Sequence, residues 1–191
     1  MPLKAQGKTV PEFIKSAPNL FTSDLQFPVA ILNKTSLENN LHRMAEFCQE
    51  IDVSLAPHVK TTMSPQIARM QLEQGARAIT VANFTQAQVF LEFEFQLIII
   101  ANEIVDRETI RKIAQINLAG KGEIIFCLDS IEGFNIIQDA LLESFNGQIH
   151  ILFEIGFESG RAGIRNIEEL AGLSKKVIAD SRLLIRGVSG F

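Results

Sequence analysis

Compact apolar runs recur along the chain at 53–59, 78–82, 97–101, 124–128, 149–155 and 183–188, and a shorter one stands at 28–32. Apolar runs of this length predict buried strands. Before them, Leu37, Leu41, Met44, Cys48 and Ile51 alternate four and three residues apart, which is one face of a helix. The segments between the later runs have helical period and carry start signals: Ser64 before Pro65, Asp106 before Ile110, Asp129 with Glu132, and Asn166 with Glu169. The last two pairs have capping-box spacing, and Gly75 and Gly120 fall where helices should stop. Strands apolar throughout and alternating with amphipathic helices predict a parallel sheet covered by its crossovers, the α/β class. A doubly wound sheet and a barrel both fit this alternation, and no glycine-rich dinucleotide fingerprint follows the early strands.

Composition narrows the chemistry without changing the class. The 191 residues are 47% hydrophobic and 21% charged, ordinary for a globular protein. A formal charge of −4, with no block of Lys or Arg, argues against nucleic acid as a partner. Runs such as 97–101 are far shorter than the roughly 20 residues of a membrane span, and the first residues lack a signal peptide's apolar stretch. Cys48 and Cys127 form no CxxC, so neither a disulfide framework nor a zinc cluster is expected, and a cytoplasmic location is the default. Cys48 sits on the apolar helix face and reads as a core residue rather than a nucleophile.

In α/β folds ligands bind at the carboxyl ends of the parallel strands. Here those ends carry His58 and Lys60, then Asn83, Asn102 with Glu103, Asp129, and the stretch 156–163 containing Arg161. A lysine closing an apolar strand in a low-dielectric mouth is disfavoured as a cation, so its free amine can attack or hold an aldehyde. A solvated strand-end lysine is the plainer alternative. Arg161, among glycines that permit close backbone approach, offers a permanent cation with a rigid fork of donors; the alternative is a turn arginine paired with Glu158. His58 could equally be a satisfied core group. Asn83 and Asn102 are as readily turn residues as ligand contacts. His42 and His150 have nothing nearby in sequence to recommend them.

The stretch Pro57-His58-Val59-Lys60-Thr61-Thr62-Met63-Ser64-Pro65, followed by Ile67-Ala68 and Gln71-Leu72-Glu73-Gln74-Gly75-Ala76, resembles the pyridoxal-phosphate lysine motif of D-serine dehydratase-like and D-threonine aldolase-like proteins. Ile79-Thr80-Val81-Ala82-Asn83, Ile100-Ala101-Asn102-Glu103 and Gly160-Arg161-Ala162-Gly163-Ile164-Arg165 follow in that family's order, so the likeness covers nearly everything after residue 27. The resemblance implies an alanine-racemase-like (β/α)8 TIM-type barrel with Lys60 as the catalytic Schiff-base lysine. It places Arg161 beside the cofactor ring near its phenolic oxygen and His58 as a neighbour of the ring.

On that basis residues 1–27 are expected to be a leader and 28–191 a partial barrel of about six of the eight strands, with 28–32 belonging to the sheet of a C-terminal β domain otherwise absent from the chain. The resemblance assigns most of the phosphate loop, the second acid or base, and any divalent-metal ligands to parts outside this chain. It implies a homodimeric parent acting on small D-amino acids. Loss of water from D-serine is the first expectation, favoured by Thr61-Thr62-Met63-Ser64-Pro65, while retro-aldol cleavage of D-threonine and racemisation are the alternatives. A non-catalytic pyridoxal-phosphate carrier, or an inactive truncated remnant, is the reading of another class.

Overall fold

The computed structural model describes residues 5–22, 25 and 27–190. The chain divides into two compact units, Met1–Asn40 and Leu41–Phe191, and helix α2 (Lys34–Glu50) crosses the boundary between them. The first unit also holds the short helix α1 (Val10–Lys15), whose entry is held by the Glu12 carboxylate accepting the Thr9 N–H at 2.7 Å. The expected strand at 28–32 is not formed. A strand needs a ladder partner, none of the described residues supplies one, and Ile31 and Leu32 lie exposed.

The second unit is a parallel sheet of β1 (Ile79–Val81), β2 (Leu97–Glu103), β3 (Glu123–Leu128), β4 (Ile149–Ile155) and β5 (Leu183–Gly190). Helices α4 (Phe84–Glu92), α5 (Arg107–Leu118), α6 (Ile131–Ala140) and α7 (Ile167–Ala179) connect successive strands, and α3 (Pro65–Glu73) precedes β1. Strand order follows chain order from β1 to β5. A doubly wound sheet reverses direction partway, so this steady advance is the topology of a barrel wall and decides what periodicity left open.

Five strands form where six apolar runs were read. The run at 53–59 lies beside β1 but forms no strand: it is tied there through Arg77 N to Leu55 O (2.8 Å), Thr80 N to Pro57 O (2.8 Å), Val59 N to Thr80 O (2.9 Å) and the Thr80 hydroxyl to Ala56 O (2.7 Å). Pro57 has no N–H to donate, which limits the ladder there.

Side chains alternate across the wall. On β4, Ile149, Ile151 and Phe153 are buried in one cluster with Ile110, Ile113, Ile137 and Val177 of the covering helices, while His150, Leu152 and Glu154 face the other way. Burying each large aliphatic chain contributes roughly 1.5–3 kcal/mol.

Helix ends follow their local signals in most places. Ser64, Asp106 and Asn166 accept N–H groups three residues on, and Gly75 (φ +100°) and Gly120 (φ +64°) sit just past the ends of α3 and α5. Asp129 is not the cap of α6. Ser130 is, accepting Gly133 N–H at 3.2 Å, because the Asp129 carboxylate is taken by the backbone of the loop after β4. Cys48 is buried as read, but Met44 and Ile51 from the same stripe are about half exposed. No helix among the described residues is long and apolar enough to cross a membrane.

Candidate functional site

Lys60 opens a tight turn between the 53–59 segment and α3. Met63 donates its N–H to Val59 O at 2.9 Å and adopts φ +44°, and Ser64 then caps α3 through Ile67 N–H. Val59 is buried, which anchors the turn, while Lys60 and His58 on either side are exposed. The low-dielectric mouth expected around Lys60 is therefore not built by these residues alone. Nor is His58 a core group. Its pKa is held below the ordinary histidine value, first by such burial as it has and then by the Lys60 charge.

The carboxyl ends of β2 and β3 open onto a cavity of about 290 Å³ against the start of α6, with Glu103, Cys127, Asp129, Ser130, Arg161 and Ala162 among its lining. Lys60 and His58 do not line it. Arg161 reaches it from the loop after β4, and no ion pair joins Arg161 to Glu158 among the described residues, so the turn-pair alternative is not realised.

What positions Arg161 is the folding of 156–164 back along β4. Gly156 N donates to Ile164 O at 3.0 Å, Ile164 N to Glu154 O at 2.8 Å, and Gly163 N to Asp129 Oδ2 at 2.9 Å. Arg165 closes the loop by donating to the carbonyls of Phe157 and, at 2.8 Å, Gly160. A Cβ on Gly156 would meet Ala162 O at 2.2 Å, so the two backbones touch only because no side chain intervenes.

Glu103 stands among the strand-end residues of the sequence without an assigned role, and the structure gives it a distinctive place. The β2–β3 register runs Ile100 opposite Phe126 and then Glu103 opposite Cys127, so two extra residues of β2 are accommodated in a bulge. Without it, Ala101 would face Cys127 and Glu103 would lie about 6–7 Å further along the strand. Glu103 Oε1 is buried without a hydrogen-bond partner. Its pKa is raised first by burial and further by Asp129 and Glu154, against the lowering effects of its own backbone N–H and of the Arg161 charge. Burial also pushes the Cys127 thiol up to about 12, with Glu154 adding to the effect, so this cysteine is a poor nucleophile.

Asn83 caps α4 by accepting Gln86 N–H at 3.0 Å, so it serves the turn role weighed for it. His150, without any recommending neighbour in sequence, meets Glu123 Oε1 at 2.9 Å, and Arg186 Nε reaches the same oxygen at 3.0 Å. This cluster lies at the β3 amino end, away from the ligand face, where a barrel places stabilising rather than reacting groups. Among the described residues no group of three or more His, Cys, Asp or Glu is arranged to hold a metal ion.

A parallel βα wall whose strand order follows chain order, with a cavity at the carboxyl ends of its strands, defines a partial TIM-barrel-type domain. The alanine racemase N-terminal domain family matches residues 32–191, and the chain belongs to it. It is 31% identical over 137 residues to a D-threonine aldolase from Arthrobacter sp., a match covering 72% of this chain and 35% of the aldolase. The crystal structure of D-threonine aldolase from Filomicrobium marinum superimposes with a TM-score of 0.78 at 27% identity, covering 86% of this chain and 44% of that one. D-threo-3-hydroxyaspartate dehydratase from Delftia sp. shares the fold, with a TM-score of 0.76 at 23% identity over 87% of this chain and 43% of that one. The chain thus spans less than half the length of these relatives.

Proposed function

We propose that the intact protein is a pyridoxal-phosphate-dependent lyase of small D-3-hydroxy amino acids, with Lys60 holding the cofactor aldehyde. What supports this reading is that Lys60 closes the segment bridged in parallel to β1 and Arg161 lines the cavity at the carboxyl ends of β2 and β3, in a chain 31% identical to a D-threonine aldolase. The residues present fit such a group. Lys60 offers an exposed primary amine, Arg161 a guanidinium fork in the cavity, and Glu103 Oε1 a polar atom that the protein itself leaves without a partner.

When bound, pyridoxal phosphate supplies an electron sink for charge developing at the substrate's α-carbon. The chain's own groups do the rest. Lys60 would hold the aldehyde through its amine and, as a free amine, could give or take a proton at the α-carbon. Arg161 would hold an anionic oxygen of the cofactor through its planar fork. His58, its proton affinity lowered first by burial and then by the Lys60 charge, would be a neighbour of the amine.

Two outcomes share these roles. Loss of water from D-serine fits the 61–65 segment, and retro-aldol cleavage of D-threonine is favoured by the similarity to D-threonine aldolases. Incubating the intact protein with each enantiomer of serine and threonine and measuring pyruvate, glycine and racemised substrate decides between them. Turnover of D forms only is expected, and activity confined to L forms would overturn the reading. Borohydride reduction and peptide mapping should place the pyridoxyl label on Lys60, and a label mainly on another lysine would remove its role.

A further inference from the structure

The bulge in β2 draws a carboxylic acid inward beside Cys127, into the lining of the cavity that also takes Arg161. A side chain there merely to fill space would be apolar, because a buried polar oxygen without a partner is unfavourable. Glu103 Oε1 has none; of the other acids nearby, Asp129 accepts Gly163 N–H, Glu154 raises the pKa of the Cys127 thiol, and Glu132 of α6 also lines the cavity. Arg161 is the cation whose charge acts on Glu103.

Resting on the cofactor reading above, we propose that Glu103 is a positioning residue for Arg161, leaving the guanidinium free for an anionic ligand oxygen while it is protonated and drawing it away once ionised. The groups facing Glu103 are Asp129 beyond β3, Glu154 on β4, the Cys127 thiol and Arg161, together with its own backbone N–H. Burial and the two acids hold the proton on; Arg161 and the N–H favour its release. The carboxyl thus stays neutral above the ordinary glutamate range and, as pH rises through its raised pKa, competes with the ligand for Arg161.

The test uses the intact Lys60→Ala protein, in which covalent capture is removed and only cavity contacts retain pyridoxal phosphate. Its affinity is measured by equilibrium dialysis from about pH 5 to about pH 9, with and without Glu103→Gln, which is neutral at every pH and nearly isosteric. The cofactor's own titration is common to both proteins, so the ratio of their affinities isolates Glu103. The ratio should be near one at low pH and rise to about tenfold in favour of Glu103→Gln at high pH, the effect of freeing one charged contact. A flat ratio overturns the role of Glu103 while leaving Lys60 and Arg161 untouched. Absence of any pyridoxal phosphate binding by the wild type overturns the cofactor reading and this proposal together. A carboxyl-carbon NMR titration, which needs no cofactor, provides the second readout: Arg161→Ala should raise the Glu103 midpoint, and an unmoved midpoint also overturns the proposal.

Discussion

Gly163 adopts φ +96°, and a Cβ there would come within 2.3 Å of Gly156 N and 2.7 Å of Gly156 Cα. Alanine would combine the left-handed backbone penalty of about 1–2 kcal/mol with backbone overlap worth about 1–3 kcal/mol. Gly163→Ala should therefore lower unfolding free energy by about 2–5 kcal/mol in a denaturant titration. A loss below about 0.5 kcal/mol, the size of an ordinary surface change, would show that the loop does not pack as described. The glycines around Arg161 were legible as sites of close approach. Their actual partner, the backbone of β4's own end, was not, nor was the use of Arg165 rather than Arg161 to bind the turn carbonyls. Two arginines four residues apart look alike in sequence, and only the path of the loop decides which bends back onto it. The place of Glu103 has the same origin: nothing in Ala101-Asn102-Glu103 signals that two extra residues will be taken up there and draw the third back beside Cys127.

Between elements, the connection from α7 to β5 is tied to α6 by a polar knot. Asp180 accepts from Arg182 N–H (2.9 Å), Nε (3.0 Å) and Nη2 (2.8 Å) and from the Gln138 amide, and Arg182 also donates to Gln138. The hydrogen bonds from Arg182 lead in holding the Asp180 carboxyl at about 2, below its ordinary 3.8. A depressed carboxylate stabilises the fold fully above its unfolded pKa and loses that contribution as pH falls through the folded value. The loss should run from about pH 4 to about pH 2, amounting to no more than about 2 kcal/mol at this half-buried site. Asp180→Asn should remove most of that acid-limb slope from the pH dependence of stability, and an unchanged slope would assign it elsewhere. Helix starts at Ser64, Asp106 and Asn166 were legible because a cap is a contact three residues long. At α6 the same reasoning picked Asp129 over Ser130. Both can cap, and what separated them was the distant Gly163 N–H that claims the aspartate.

For the whole molecule, β5 bonds along one side to β4, no described strand lies on its other side, and Val188 is 64% exposed on it. Unpaired strand edges of this length template association. Residues 1–191 expressed by themselves should associate, as read by light scattering, and Val188→Lys should shift them towards monomer. A monomeric wild-type chain would refute the open-edge argument. Sequence by itself determined the α/β class, the parallel direction, most helix limits and the approximate strand ends, because each depends on periodicity and capping within a few residues of chain. The choice of barrel wall over doubly wound sheet, the reduction of 53–59 to a bridged segment, the pairing of Asp129 with Gly163 and the burial of Glu103 beside Cys127 were decided by the tertiary structure. Those features depend on register and bulges between segments far apart in sequence, where a shift of one or two residues moves a side chain by several ångströms or to the opposite face.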